Sequence, residues 1–155
     1  MERCPRLRLV LADDHPAFLE GLRRILERDY DVVAAVTDGE SVLAEATRLS
    51  PDVIVCDISM PRMTGLEVAR ELRRLSPAIR VVFVTMHTDP GFVSEALRID
   101  VSAYVLKTAE AAELREAVRA AAAGKLYLSS RLRESRGCLY RGRASEKAQP
   151  RPRNG

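Results

Sequence analysis

Five short apolar runs divide the chain at intervals of 20 to 30 residues. They occupy residues 7–12, 31–36, 53–56, 79–84 and 103–106. Each run is rich in branched side chains and is too short for a buried helix, so each predicts a β-strand. Because polar residues seldom interrupt the runs, they indicate strands that are covered on both faces, which is typical of parallel sheets.

The segments between these runs carry apolar residues three and four positions apart, which predicts amphipathic helices. The clearest apolar faces are Phe18, Leu22, Ile25 and Leu26; Val68, Leu72 and Leu75; and Leu114, Val118 and Ala121. Strands that alternate with helices predict an α/β fold, in which a five-stranded parallel sheet has helices on both faces and right-handed crossovers.

Local signals mark the ends of the predicted helices. The N-terminal signals are Pro16, Asp38, Thr64 with Glu67 as a capping box, Pro90 and Thr108. Gly124 suits the left-handed residue that follows the last helix. These signals support the same fivefold alternation of strand and helix.

The composition suits one domain of ordinary size. The chain has 155 residues, of which 46% are hydrophobic and 30% are charged. No apolar run approaches the roughly 18 to 20 residues that span a bilayer, and residues 7–12 lack the uninterrupted core of a signal peptide. We therefore expect a cytoplasmic protein that has no membrane partner.

The formal net charge of +3 is unevenly distributed. Residues 1–130 hold 17 Lys or Arg against 20 Asp or Glu, a net of −3, whereas residues 131–155 hold 8 against 2, a net of +6. Little apolar content remains in this basic segment, which predicts disorder. The predicted organisation is one domain over residues 1–128 and a basic, disordered tail or linker remnant over residues 129–155.

The three cysteines do not predict a metal or redox site. Cys4, Cys56 and Cys138 are widely spaced, and no Cys-x-x-Cys pair is present. We interpret them as structural thiols.

Polar residues follow four of the predicted strands, at the sheet edge where such folds bind ligands. Asp13 and Asp14 follow the first strand, Asp57 the third, Thr85 the fourth and Lys107 the fifth. Three carboxylates at one edge repel one another unless some are protonated or a cation lies among them. Oxygen ligands suit a hard divalent ion, which predicts Mg²⁺.

Each of these residues also has an ordinary structural interpretation. A single Asp after a strand is more commonly a helix cap, a single Thr an ordinary strand residue, and a single Lys a solvated charge. Their joint placement favours a site. His15 and His87 are interpreted as surface or loop residues rather than metal ligands.

The sequence resembles the response regulator receiver domains of two-component signalling. The resemblance is carried by Asp13-Asp14, by Asp57-Ile58-Ser59-Met60-Pro61 followed by Gly65, by Thr85, and by Tyr104-Val105-Leu106-Lys107. It covers residues 6–128. It implies a flavodoxin-like (βα)5 doubly wound fold with strand order 2-1-3-4-5, and it makes residues 1–128 the receiver domain.

The resemblance also implies roles for the acidic residues and the lysine. Asp57 would accept a phosphoryl group from a sensor histidine kinase. Asp13, Asp14, Asp57 and the backbone carbonyl of Ser59 would hold Mg²⁺, and no other cofactor is implied. Lys107 would contact a phosphoryl oxygen and stabilise charge in the transition state.

Thr85 and Tyr104 would form the switch. The Thr85 hydroxyl would move towards the phosphoryl oxygens, and Tyr104 would turn inward into the space left behind. This would change the face built from the fourth helix, fifth strand and fifth helix. The alternative is that Tyr104 is only a half-buried strand aromatic.

Two features concern the loops around the site. Many receivers carry Gly just before the fifth strand, whereas this chain has Asp100-Val101-Ser102-Ala103, so that turn must be made differently. Ser59, Met86 and His87 flank the acceptor, at positions that commonly tune hydrolysis of the acyl phosphate in the family.

Residues 117–132 resemble the end of receivers of the NarL/FixJ-like subfamily, where a linker leads to a LuxR-type helix-turn-helix. Only 25 residues follow position 130, and they show no two-helix periodicity. Three interpretations stay open: a natural single-domain regulator, a truncated or frame-disrupted DNA-binding regulator, or a fragment cut near the linker.

The tail cations do not by themselves predict a DNA-binding site. They are Arg131, Arg133, Arg136, Arg141, Arg143, Lys147, Arg151 and Arg153. They could touch phosphates without specificity, but they lack interleaved aromatic residues and a scaffold. We expect a solvated tail and no direct DNA partner.

The favoured function is a Mg²⁺-dependent phosphoacceptor switch in transcription regulation, with a sensor histidine kinase as partner and a homodimer through a receiver face as a further candidate. Such a chain assists its own phosphorylation and dephosphorylation without being an enzyme.

One alternative function is that of a DNA-binding transcription regulator that has lost its helix-turn-helix. Another is an aspartyl-phosphate phosphatase, which is less favoured because Ser59 lies where such enzymes carry a second acid. Nucleotide binding is disfavoured because no Gly-rich loop follows the first strand.

Overall fold

A computed structural model describes residues 6–135 of the chain. In that range the strands are β1 (Arg8–Ala12), β2 (Asp31–Val36), β3 (Val53–Cys56), β4 (Arg80–Thr85), β5 (Ala103–Leu106) and β6 (Tyr127–Leu128). The helices are α1 (Pro16–Leu26), α2 (Gly39–Leu49), α3 (Gly65–Leu75), α4 (Pro90–Ile99), α5 (Ala111–Ala122) and α6 (Ser130–Ser135).

The six strands form one parallel sheet in the order β2-β1-β3-β4-β5-β6. The α/β class and the order 2-1-3-4-5 of the first five strands are confirmed. The predicted count of five strands is wrong by one, because β6 adds an edge strand beside β5. A strand of two residues carries no alternation that a sequence pattern could reveal.

The core lies on both faces of the sheet. All four residues of β3 have no exposed surface, and successive side chains point to opposite faces. Ile54 and Cys56 pack in one cluster with α2, α3 and α4 residues, whereas Val53 and Val55 pack in the other with α1 and α5 residues. This double burial explains why the strands are apolar runs rather than alternating patterns.

Most of the predicted helix signals are confirmed. Pro16 and Pro90 open α1 and α4, Asp38 accepts a hydrogen bond from the Ser41 N–H, and Thr64 forms the capping box with Glu67. Gly124 has a φ of 82°. The prediction for Thr108 is wrong, because α5 has Glu110 at its N-cap position. Leu75 is also wrongly placed on a buried face, since it is 58% exposed.

The turn before β5 uses Asp100 in place of the usual glycine. Asp100 ends α4 with a φ of 71° and a ψ of 39°, in the left-handed region. Aspartate tolerates that region better than most residues that have a Cβ atom. The chain then enters β5 with the Ser102 N–H donating to the Val81 carbonyl at 2.9 Å.

The start of the segment interpreted as a disordered tail is ordered, which corrects that interpretation for residues 129–135. Ser129 and Leu132 are each 2% exposed. The Glu113 carboxylate of α5 accepts hydrogen bonds at Oε2 from Tyr127 Oη at 2.9 Å, Ser129 Oγ at 3.2 Å and Ser130 N at 3.0 Å. This side chain therefore holds β6 and α6 against α5, and we call these three hydrogen bonds the Glu113 clamp.

The remaining tail residues, with the cations from Arg136 onward, lie outside the described residues. A domain boundary at residue 128 stays a prediction. Among residues 6–135, no helix is long and apolar enough to cross a membrane.

Candidate functional site

The carboxyl ends of β1, β3 and β5 bring the predicted site residues to one edge of the sheet. Ala12 pairs with Cys56 in the β1–β3 register, so Asp13 and Asp57 are the next residues on neighbouring strands. The Asp57 N–H donates to the Ala12 carbonyl at 3.2 Å, and the Lys107 N–H donates to the Thr85 carbonyl at 2.9 Å. Backbone hydrogen bonds of the sheet therefore fix the positions of the Cα atoms from which these side chains extend.

Lys107 joins two of the acids. Its Nζ lies 2.7 Å from Asp13 Oδ2 and 2.9 Å from Asp57 Oδ2, and its side chain is 8% exposed. Burial favours the neutral amine, but the hydrogen bonds to Asp13 and Asp57 outweigh it, so the pKa of Lys107 lies above its usual value. The ammonium also lies 4.7 Å from the centre of the Phe18 ring.

Asp57 is held from the opposite side by backbone groups. Its side chain accepts at Oδ1 from the Ile58 N–H at 2.6 Å and lies 3.4 Å from the Ser59 N–H. Asp57 itself is only 4% exposed. One carboxylate oxygen thus meets the following loop, and the other meets Lys107.

Gly65 allows that loop to close tightly. Its N–H donates to the Ile58 carbonyl at 2.7 Å. A Cβ atom at position 65 would lie 2.3 Å from the Asp57 carbonyl oxygen, which is far inside van der Waals contact. The first turn of α3 can therefore approach the end of β3 only without a side chain there.

The acidic cluster has the donor set of a divalent-ion site. Asp13, Asp14, Asp57 and His15 each offer one ligand atom, and these atoms lie within 4.8 Å of one another. Asp14 Oδ1 is buried and accepts no hydrogen bond within the described residues. A buried carboxylate oxygen without a donor fits a cation as its missing partner. The residues present therefore fit Mg²⁺.

Thr85 and Tyr104 are both buried with no exposed surface. The Tyr104 hydroxyl donates to the His87 carbonyl at 2.8 Å, and the His87 N–H donates to Thr85 Oγ1 at 3.3 Å. Burial, followed by the charges of Asp57 and Asp89, raises the pKa of Tyr104, so the phenol stays protonated. The Tyr104 ring already lies inside the protein, where the resemblance implied that it would arrive by turning.

His87 has more contacts than its interpretation as a loop residue suggests. Its Nε2 lies 2.6 Å from Ser59 Oγ, and its ring lies 4.4 Å from the Phe92 ring. His87 therefore connects the loop after Asp57 with Thr85 and Tyr104. Met86 beside it is 63% exposed.

Cys56, directly before Asp57, is a free and fully buried thiol. Burial raises the pKa of this thiol well above its usual value, and the neighbouring Asp57 and Asp13 raise it further. The group stays protonated and unreactive, in agreement with a structural role. Cys4 and Cys138 lie outside the described residues.

The structure brings Asp13, Asp14, Asp57 and Lys107 into one cluster, as predicted from the strand ends. It places Thr85 at the same edge, with its hydroxyl engaged by His87. The role of the Ser59 carbonyl as a metal ligand stays a prediction. Sequence reasoning missed the contacts of His15, His87 and Phe18, because they depend on loop conformations and on helix packing rather than on strand ends.

Comparison with known proteins agrees with this geometry. Residues 9–119 match the family model of the response regulator receiver domain. The chain is 35% identical over 146 residues to the transcriptional regulatory protein DegU of Brevibacillus brevis, a match that covers 93% of this chain and 62% of DegU. The chain thus spans less than two thirds of that relative.

Solved structures give the same assignment. A two-component response regulator of the LuxR family from Aurantimonas sp. superposes with a TM-score of 0.79 and 34% identity, covering 83% of this chain and 94% of that one. The isolated receiver of RcsB from Salmonella enterica serovar Typhimurium, determined with the phosphomimetic BeF3−, gives a TM-score of 0.78 and 27% identity, covering 83% and 97%. The chain belongs to the family of response regulator receiver domains.

Proposed function

We propose that Asp57 is the phosphoacceptor of a two-component switch and that a sensor histidine kinase is the donor. A carboxylate oxygen of Asp57 forms a bond to phosphorus while the P–N bond of the donor's phosphohistidine breaks. The electron pair leaves with the imidazole nitrogen, which then takes a proton from solvent. The product is an acyl phosphate on Asp57.

The observation that carries the proposal is the pairing of Asp57 with Lys107 inside the acidic cluster. Asp57 contacts Lys107 through one carboxylate oxygen, and its other oxygen accepts a hydrogen bond from the backbone of the following loop. Lys107 lies where it can neutralise charge on a transferring phosphoryl group, and its raised pKa keeps it protonated. Burial excludes bulk water from the reacting carboxylate.

Asp13 and Asp14, with Asp57 and the Ser59 carbonyl, are the residues that would hold Mg²⁺. The bound ion would supply charge neutralisation between the carboxylate and the incoming phosphoryl oxygens. Asp13 would then share its two oxygens between the ion and Lys107, which is consistent with its 2.7 Å contact to the ammonium. Asp14 would contribute Oδ1, which accepts no hydrogen bond within the described residues.

The signal would pass from Asp57 to Thr85 and Tyr104 and then to the face formed by α4, β5 and α5. A transcriptional output would follow the example of the regulatory relatives, and a second copy of the chain is a candidate partner at a receiver face. We treat the chain as a phosphoacceptor that assists its own chemistry rather than as an enzyme. A cytoplasmic location and the lack of a direct DNA partner stay predictions.

Incubation with acetyl phosphate and Mg²⁺ tests the assignment. We expect an adduct with the mass of one phosphoryl group, labile to hydroxylamine, and its loss in Asp57→Asn. Asp29→Asn is the matched control, because Asp29 is exposed and lies before β2, away from the site. An adduct that persists in Asp57→Asn, or that is lost equally in the control, would contradict the assignment.

A further inference from the structure

The Lys107 ammonium has an aromatic neighbour in addition to its two carboxylates. Its Nζ lies 2.7 Å from Asp13 Oδ2 and 2.9 Å from Asp57 Oδ2, and it lies over the Phe18 ring, 4.7 Å from the ring centre. An ammonium carries three N–H donors, and the two carboxylates accept two of them. No third hydrogen-bond acceptor for this Nζ is found among residues 6–135. The face of the Phe18 ring is therefore the remaining partner of the ammonium in that range.

The position of Phe18 is set by helix α1 and by its own packing. Phe18 is the third residue of α1, which begins at Pro16. The first turn is closed by the Leu19 N–H, which donates to the His15 carbonyl at 3.0 Å. The Phe18 side chain is half-buried and packs against the hydrophobic cluster that α1 and α5 form on one face of the sheet. The ring is thus a fixed surface on which the flexible lysine side chain rests.

Burial makes this contact stronger than a similar contact at the surface. The face of an aromatic ring carries negative potential and attracts a cation, and the attraction grows when water is excluded. The Lys107 side chain is only 8% exposed, so little water competes for its ammonium. A lysine without such a partner turns its charged end towards solvent, because its stem is long and flexible. The ring therefore opposes movement of the ammonium away from Asp57.

We propose that Phe18 is a positioning residue for phosphoryl transfer, whose ring face holds the Lys107 ammonium beside the reacting carboxylate of Asp57. This inference rests on the proposed function, because Phe18 acts through the lysine of that site. The attraction between ring and cation follows the charge and does not need one fixed N–H direction. It can therefore persist while the ammonium exchanges a carboxylate oxygen of Asp57 for a phosphoryl oxygen. Phe18 thus keeps the positive charge in place where negative charge develops during the transfer.

Graded fluorination of the ring tests the electrostatic part of the proposal. Phenylalanines with one, two and three fluorine atoms, incorporated at position 18 alone, weaken the negative potential of the ring face and nearly keep its size. The rate constant for phosphorylation by acetyl phosphate in Mg²⁺ should fall stepwise, to about a tenth of the wild-type value with three fluorine atoms. Phe92 is the matched control, because it is the third residue of α4, is also half-buried and faces the His87 ring. The same series at position 92 should leave the rate constant unchanged.

Nuclear magnetic resonance tests the contact without reference to activity. The chain has three lysines, Lys107, Lys125 and Lys147, so the signals of Lys107 can be assigned by substitution. Protons above an aromatic ring are shielded, so the ammonium and the adjacent methylene group of Lys107 should shift downfield in Phe18→Leu. Phe92→Leu should leave these signals where they are in the wild type. Leucine keeps an apolar side chain at position 18, and circular dichroism checks that the variant folds.

The outcomes separate this proposal from the proposed function. An adduct on Asp57 that forms at one rate throughout the series at position 18 would overturn the role of Phe18 and leave Asp57 as acceptor. An equal fall in the series at positions 18 and 92 would overturn it too, because the effect would then not depend on the ammonium. Lys107 signals that stay unchanged in Phe18→Leu would overturn the contact itself. Failure of the wild type to form any adduct would overturn both the proposed function and the role of Phe18 in it.

Discussion

At Gly65 one missing methyl group decides how closely helix α3 approaches the acceptor strand. A methyl group at this position would lie 2.3 Å from the Asp57 carbonyl oxygen and 2.9 Å from the Ile58 Cα. Both atoms belong to the backbone of the loop that follows β3, and backbone atoms cannot move aside as the far end of a flexible side chain can. The position of the acceptor loop therefore depends on glycine at this residue.

Gly65→Ala should lower the free energy of unfolding by about 1 to 3 kcal/mol, because overpacking forces backbone shifts. It should also slow phosphorylation of Asp57, whose loop must move. Gly21→Ala is the matched control, since Gly21 lies within α1 and a Cβ atom there meets nothing within 4 Å. That change should stabilise the protein by about 0.5 to 1 kcal/mol. Chemical denaturation measures both, and equal effects would contradict the argument.

The site residues themselves could be predicted from the sequence because each follows a strand. Asp13, Asp57 and Lys107 need only a parallel sheet to meet, and the hydrogen bonds of the sheet carry their backbones to the same edge. The contacts of His87 and Phe18 could not be predicted in this way. They depend on the path of one loop and on the packing of one helix face, for which a single sequence has no periodic signal.

Between elements, one charge pair joins two helices on the same side of the sheet. Arg70 of α3 donates to Glu95 of α4 at 2.7 Å, and Arg98 lies 2.8 Å from the other Glu95 oxygen. The hydrogen bond from Arg70 lowers the pKa of Glu95. Because α4 belongs to the proposed signalling face, this pair ties that face to α3.

Glu95→Gln should destabilise the protein at neutral pH and lose its effect in acid. A carboxyl whose folded pKa is lowered contributes stability above its unfolded pKa, and that contribution disappears as the pH falls through the folded value. The difference in free energy of unfolding between wild type and variant should therefore be largest near pH 7 and shrink below about pH 4. Glu71→Gln, which removes a pair within α3 only, is the control. A difference that grows in acid would contradict the assignment.

The Glu113 clamp predicts a local effect at the other edge of the sheet. Glu113→Ala removes the acceptor of three hydrogen bonds, which should cost about 1 to 3 kcal/mol of local stability. Hydrogen exchange at residues 127–132 should speed up by about tenfold for each 1.4 kcal/mol, while β1 and β3 stay protected. Glu116→Ala, an exposed neighbour on α5 that pairs with Arg119, should change little. Equal exchange in the two variants would argue against the clamp.

Element prediction succeeded where the core imposes a pattern. Residues 31–36, 53–56 and 103–106 are strands with the predicted bounds. Every residue of the last two is buried, whereas β2 lies at the sheet edge and is only partly buried. β6 and α6 escaped prediction since they are short and are held by a few specific contacts, among them Leu132 and the Glu113 clamp. Thr108 failed as a cap because α5 begins three residues later. Short elements fixed by single side chains leave little periodicity to find.

For the whole molecule, we expect the acidic cluster to make the free energy of unfolding depend on divalent ions. Asp14 is the acid of the cluster that Lys107 does not contact, and its Oδ1, 3.2 Å from His15 Nδ1, accepts no hydrogen bond within the described residues. An ion that binds the folded chain alone stabilises it by mass action. The Asp14 carboxylate should therefore lower the free energy of unfolding without metal and raise it when metal is bound.

Asp14→Asn should be more stable than the wild type in chelator and less stable than the wild type in Mg²⁺. In excess chelator the variant should melt at a higher temperature, because one like charge is removed. In Mg²⁺ at about 100 times its dissociation constant the wild type gains about 2.7 kcal/mol, and the variant should gain much less. Melting curves with chelator and with Mg²⁺ check this. Curves that keep the same order in both conditions would show that Asp14 does not bind the ion.

The buried position of Tyr104 has a consequence for how strongly the protein can respond. Its hydroxyl is bonded to the His87 carbonyl while Asp57 is still paired with Lys107. A signal that raises the fraction of molecules with Tyr104 turned inward from about 1% to about 99% changes output some hundredfold. If that fraction is already near 90% before the signal, output rises by only about a tenth. If Tyr104 acts as the proposed switch, we expect a high basal output and a narrow dynamic range, with the remaining response depending on the Thr85 hydroxyl.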